Sequence, residues 1–99
     1  MQGKSDIADL LCKAGAQGDI RTLQLLQDGE ADLSTQDYFG LSVAHAAAAN
    51  GHIEALKWLN TQDFQFEICD IEGYTPVYRA KEAGHEECEE FLENIMLGD

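Results

Sequence analysis

Three histidines, His45, His52 and His85, and three cysteines, Cys12, Cys69 and Cys88, are the side chains of this sequence with the most chemical potential near neutral pH. His85-x-x-Cys88 would set a nitrogen and a sulfur ligand on adjacent helical turns, but a structural zinc site needs about four ligands and no second pair stands nearby. The cysteines lack a basic neighbour that would lower a thiol pKa, so none reads as a nucleophile. Glu82, Glu86, Glu87, Glu89, Glu90 and Glu93 offer carboxylates for acid–base work or calcium. A calcium loop alternates oxygen ligands around a turning glycine, however, and Asp28-Gly29-Glu30-Ala31-Asp32 does not complete that pattern. Gly15-Ala16-Gln17-Gly18 lacks the Gly-Lys-Ser/Thr of a phosphate loop and reads as a helix end. The expectation is a chain with no catalytic residue, no metal and no cofactor, whose histidines are structural and whose glutamates are a solvated helix face.

Composition narrows the function classes further. The 99 residues suit a single domain, 1–99, and a 44% hydrophobic content is too apolar for a disordered tail. Nineteen acidic against six basic residues leave a net charge of -13, which repels phosphate backbones and anionic lipid surfaces; neither nucleic acid nor membrane is an expected partner. No apolar run approaches the roughly 20 residues of a membrane span, and Met1-Gln2-Gly3-Lys4-Ser5-Asp6 lacks the apolar core of a signal peptide. An odd cysteine count, no Cys-x-x-Cys and no Asn-x-Ser/Thr fit a reducing compartment, so the expected location is intracellular, in the cytoplasm, the nucleus or both.

The elements that position these residues emerge when the chain is slid along itself. Gly18, Gly51 and Gly84 are each 33 residues apart, and the same step links Ala14, Ala47 and Ala80; Leu26, Leu59 and Leu92; Asp37 and Asp70; and Gly40 and Gly73. A fixed period of this length is the mark of a stacked repeat, in which one unit cannot bury its apolar face alone. Ser42 and Thr75 are natural N-caps, and Pro76 stands where a first-turn proline is tolerated. Each first helix stops at Gly18, Gly51 or Gly84, suited to a left-handed C-terminal cap. The second helices carry Ile20, Leu23 and Leu26, then Ile53, Leu56 and Leu59, with Leu25 and Trp58 widening the stripe. The pattern predicts helix pairs near 6–14/19–27, 42–49/53–61 and 76–83/86–96, with Ser5 or Asp6 capping the first. Segments 28–39 and 61–72 read as connections with extended character at Leu33, Phe64, Phe66 and Ile68.

These residues resemble the ankyrin repeat, whose pattern runs Asp-x-x-Gly-x-Thr-Pro-Leu-His, Ala-Ala, then Gly-His-x-Glu, an apolar helix and a Gly-Ala-Asp turn. The chain offers Asp37-Tyr38-Phe39-Gly40, His45, Ala47-Ala48 and Gly51-His52-Ile53-Glu54, then Asp70-Ile71-Glu72-Gly73-Tyr74-Thr75-Pro76, Ala80 and Gly84-His85-Glu86-Glu87. The first unit keeps Gly18-Asp19-Ile20 and Ala31-Asp32-Leu33. Val43-Ala44 replaces Pro-Leu, Cys12 and Tyr78 take the His45 column, and Gln62-Asp63-Phe64 replaces the Gly-Ala-Asp turn. The resemblance implies an all-α solenoid of three helix-turn-helix repeats, approximately 4–36, 37–69 and 70–99, joined by β-hairpin-like loops.

It also implies a non-catalytic protein-binding module, acting as adaptor, inhibitor or scaffold and monomeric by itself. Contact in such proteins falls on the hairpin tips and the exposed side of the first helices, columns that here hold Tyr38, Phe39, Leu41, Ala49, Asn50, Ile71, Glu72, Tyr74, Glu82 and Ala83. With the surrounding acids, the expected partner is a protein with an apolar patch flanked by Lys or Arg. A second reading rests on charge alone: an acidic shield or chaperone for a basic protein such as a histone or ribosomal protein. The third, a small enzyme or metal protein, would have to use the histidines and glutamates weighed above.

Overall fold

A computed structural model describes residues 4–97. Six helices follow one another: α1 (Lys4–Gln17), α2 (Ile20–Asp28), α3 (Val43–Ala49), α4 (Ile53–Thr61), α5 (Pro76–Ala83) and α6 (Glu86–Leu97). Consecutive helices pair, and the first helices stack in a row, α1 on α3 on α5, while α4 packs on α6. Among the described residues there is no strand, so the segments expected to be extended cross the molecule as turns and bends.

The caps show why the helices begin and end here. Ser42 Oγ accepts the His45 N–H at 3.3 Å, and His45 Nδ1 accepts the Ser42 N–H at 3.1 Å, a reciprocal cap that satisfies two otherwise orphaned donors. Thr75 occupies the corresponding N-cap position with an extended backbone but makes no side-chain cap bond; Pro76 starts α5 without needing a partner for a missing N–H. Asp19 caps α2 through the Thr22 N–H at 3.1 Å. Gly18, Gly51 and Gly84 all have left-handed backbones, with φ of 67°, 76° and 81°. A β-carbon on Gly18 or Gly51 would also come within 2.7 Å of the ring of His52 or His85 in the following unit.

Several expectations are corrected. Helix α1 is longer than 6–14, starting at Lys4 and running through Gly15-Ala16-Gln17. Asp6 therefore lies inside its first turn, and Ser5 is helical as well, so neither residue is the cap. Gly15 is tolerated in that helix because α3 presses on it: a β-carbon would meet the Val43 carbonyl oxygen at 2.6 Å. Leu25 does not widen the buried stripe of α2 and is 63% exposed, because its column faces toward a preceding unit. Trp58, in the same column of the second unit, is partly buried against the core, as is Leu26. Glu89, expected on an open end, is half-buried.

The core runs through all three pairs. Leu11, Leu23, Leu56, Leu59 and Leu92 are fully buried, with Ala44, Ala47, Ala48, Ala55 and Ala80 letting the helices approach closely. Phe64 and Phe66 are core residues as well, with ring centroids 5.1 Å apart, which anchors the connection between the second and third units from beneath.

Candidate functional site

Two aspartates 33 residues apart build two matching turns. Asp37 Oδ1 accepts the N–H groups of Phe39 and Leu41 at 2.9 and 2.8 Å, and the Asp37 N–H donates to the Leu41 carbonyl at 3.0 Å. Asp70 Oδ1 accepts from Glu72 and Tyr74, both at 2.9 Å, and its N–H donates to the Tyr74 carbonyl at 2.9 Å. Each turn closes on a left-handed glycine, Gly40 or Gly73. The turns are joined, since the Ile71 N–H donates to the Phe39 carbonyl at 3.0 Å and Gln36 Nε2 donates to the carbonyls of Gly40 and Cys69 at 2.6 and 2.8 Å. With the backbone held this way, the side chains of Tyr38, Phe39 and Ile71 project outward at 83%, 65% and 70% exposure.

Leu41 leads from the first turn into a groove of about 490 Å³ between α3 and α5. It is lined by Leu41, His45, Ala46, Ala49 and Asn50 on one side and by Arg79, Glu82 and Ala83 on the other. Of the ten residues expected at an interface, Leu41, Ala49, Asn50, Glu82 and Ala83 are thus brought together in one groove, and Tyr38, Phe39 and Ile71 stand on the adjoining tips. Arg79, His45 and Ala46 also line it and were missed. Arg79 gave no signal as an isolated cation in an acidic segment, but its role follows once Asp70 is seen nine residues before it.

Arg79 is the electrostatic centre of this side of the molecule. Its Nη2 contacts the buried Asp70 Oδ2 at 2.6 Å and Glu72 Oε1 at 3.2 Å, and its Nη1 contacts Glu82 Oε1 at 3.0 Å. The hydrogen bond to Asp70 holds the guanidinium charged and raises its pKa. Burial pushes the Asp70 carboxyl upward, but the Tyr74 and Glu72 N–H groups and Arg79 outweigh it and leave the pKa below its ordinary value. Two expected interface acids, Glu72 and Glu82, are therefore engaged within the chain. Tyr74 is engaged as well: its ring stacks on Tyr78 with centroids 4.1 Å apart, and the Arg79 guanidinium lies 5.1 Å from its centroid. It separates from the other expected tip residues for this reason.

The residues first weighed for chemistry hold the units together. His45 Nε2 donates to the Tyr74 carbonyl at 2.8 Å, and Cys12, in the same column one unit earlier, donates its S–H to the Leu41 carbonyl at 3.5 Å. His52 Nε2 lies 2.8 Å from the Ala16 carbonyl of the first unit. His85 packs its ring on Gly51. Burial, with Asp37 and Asp9 nearby, pushes the Cys12 thiol up to about 12; burial and Glu87 raise the pKa of Cys88. Both shifts oppose the thiolate a nucleophile needs. Among the described residues, no group of three or more His, Cys, Asp or Glu side chains is placed to hold a metal ion. No helix among them is long and apolar enough to cross a membrane.

Stacked helix pairs, aspartate-built turns and a groove along the first helices define a repeat solenoid with a recognition surface. Residues 3–96 match the family model for ankyrin repeats in three copies, and the chain belongs to the ankyrin repeat family, a non-catalytic interaction fold that binds other proteins. It is 41% identical over 70 residues to the ankyrin repeat domain-containing protein 37 of Bos taurus, a match covering 71% of this chain and 44% of that protein. It is 44% identical over 61 residues to an L-asparaginase of Dirofilaria immitis, covering 62% of this chain but 10% of the relative. The chain spans less than half the length of these curated relatives. Among solved structures, it resembles a chain of the complex between the Bd0816 predatory endopeptidase of Bdellovibrio bacteriovorus and immunity protein Bd3460. That likeness has a TM-score of 0.77 and 27% identity over 84% of this chain and 44% of that one.

Proposed function

We propose that this chain is a non-enzymatic adaptor, inhibitor or scaffold that captures a protein segment across its turn tips and the α3–α5 groove. One observation carries the reading: Tyr38, Phe39 and Ile71 are exposed on turns whose backbones are tied to each other, beside a groove lined by Leu41, Ala49, Asn50, Glu82 and Ala83. Apolar anchors on a rigid support lose little conformational freedom on binding, which is the character of interface hot spots. Glu72 and Glu82, though paired with Arg79, keep the rim acidic, and the net charge of -13 favours a partner whose apolar patch is flanked by Lys or Arg. The three free cysteines fit action inside the cell, in the cytoplasm or nucleus.

The test is affinity capture with the immobilised chain, followed by titration of the purified partner against Tyr38→Ala with Phe39→Ala. Loss of two hot-spot anchors should weaken binding by about tenfold or more, and circular dichroism should show the variant folded. Unchanged affinity would sink the proposal. A purely electrostatic shield for a basic protein, the reading that the net charge favours, would instead lose its complex steeply with added salt and be indifferent to the double variant.

A further inference from the structure

The columns that stack one unit on the next end unequally. Leu11, Gly15 and Leu23 of the first unit are buried, and so are their counterparts Ala44, Ala48 and Leu56 in the second. The third-unit members, Val77, Lys81 and Glu89, are half-buried or exposed. His45, fully enclosed, gives way in its column to Tyr78 at 37% exposure. The glycines repeat this contrast. A β-carbon on Gly18, Gly40 or Gly51 would strike the following unit at 2.7, 2.6 or 2.7 Å, whereas the equally left-handed Gly73 and Gly84 have nothing within 4 Å.

The third unit thus presents the shape of a stacking face. Lys81 and Glu89 suit it to water, but Val77, Met96 and Leu97 line an open hollow of about 350 Å³ with Glu93 at its edge, and Tyr78 rests on Tyr74 beside it. Charge selects the occupant. Residues 70–99 hold nine of the nineteen acidic residues against two basic ones, and Arg79 is already bound to Asp70, Glu72 and Glu82. A second copy laid on this face would bring two acidic units together, whereas a cationic segment would relieve the repulsion.

We propose that this end face is a docking surface separate from the groove, and that it takes an amphipathic helix whose apolar stripe is flanked by Lys or Arg. A helix is the matching shape because α5 and α6 present the side that elsewhere in the molecule receives helices, α3 on α1 and α5 on α3. Its stripe fills the hollow between Val77 and Met96, and its cationic flanks meet Glu89 and Glu93.

The experiment titrates the isotope-labelled full chain with a synthetic helical peptide bearing a leucine stripe and lysine flanks, read by NMR. Saturable shifts are expected at Val77, Tyr78, Glu89 and Met96, with Ala49 and Asn50 unmoved. Tyr78→Ala with Met96→Ala should weaken the peptide about tenfold or more, and Tyr38→Ala with Phe39→Ala should not, which separates this surface from the groove and tips. No saturable shift, shifts centred on Ala49 and Asn50, or equal binding of a peptide with glutamate flanks would overturn the proposal. So would sedimentation showing a dimer of the wild-type chain that the Tyr78 and Met96 variant abolishes. The wild-type shift map decides the matter even if that variant fails to fold.

Discussion

The Nε2–H of His45 donates to the carbonyl oxygen of Tyr74 at 2.8 Å, while its Nδ1 accepts the N–H of Ser42 at 3.1 Å, so one neutral imidazole joins a helix cap to the neighbouring repeat. Protonation would place a second N–H against the Ser42 N–H and strand a buried charge. Burial is the main reason that the His45 pKa is lowered; Arg79 acts in the same direction, while the Tyr74 carbonyl, Asp70 and Asp37 oppose it. Below about pH 6.5 the unfolded chain therefore binds a proton that the folded chain resists, and stability falls with pH from that point down to the folded-state pKa. Asp70, whose pKa is lowered, supplies stability above its ordinary value that is lost further into the acid range. Melting temperature should drop between pH 7.5 and 5.5. His45→Gln should be less stable throughout but show a flatter dependence in that window; an unchanged slope would contradict this role.

Glu30 and Asp63 share a column at the ends of α2 and α4, and both hold left-handed backbones, with φ of 70° and 60°. That conformation costs an ordinary L-residue about 1–2 kcal/mol, part of which returns on substitution by glycine because the unfolded chain gains freedom. Glu30→Gly and Asp63→Gly should each stabilise by about 0.5–1 kcal/mol, raising the melting temperature by a few degrees. Gly18→Ala should do the reverse, since its φ is 67° and the new methyl would sit 2.7 Å from the His52 ring. Differential scanning calorimetry of the three variants checks both signs.

Legibility in the sequence followed the range of the interaction. The glycine column, Ser42 and the aspartate turns act within a few residues, so their chemistry was readable in the chain itself. Leu25 misled because periodicity reports which face of a helix is apolar, and only stacking decides whether a neighbour covers it. Phe64 and Phe66 read as extended connection because their burial depends on α4 and α6 meeting beneath them. The interface columns placed Leu41, Ala49, Asn50, Glu82 and Ala83 in one groove through the resemblance, while Tyr74 left the tip cluster because Tyr78, four residues on, captures its ring.

Leu59 and Leu25 provide a matched contrast, with the same side chain on second helices of adjacent units. Leu59 is fully buried in the core, so Leu59→Ala should cost about 2–5 kcal/mol, comparable to the whole stability of a small domain. Leu25, exposed, should tolerate alanine within about 0.5 kcal/mol. Urea denaturation of both variants tests the assignment, and equal midpoints would refute it.

Thiol reactivity should separate the three cysteines. Cys69 is exposed on the connection to the third unit, Cys12 is half-buried with its S–H on the Leu41 carbonyl, and Cys88 is buried in α6. A thiol held near 12 is almost wholly protonated at pH 7.5, since each unit of separation reduces the thiolate about tenfold, and Cys12 should be unreactive on both counts. Cys88 has its pKa raised by burial and is closed to reagent by packing. Iodoacetamide on the native protein should therefore modify Cys69 quickly and the other two only as fast as the chain opens, while urea should expose all three. Peptide mapping at early times reads the order. Rapid labelling of Cys12 would mean that the contact between α1 and the first turn opens far more often than this packing allows.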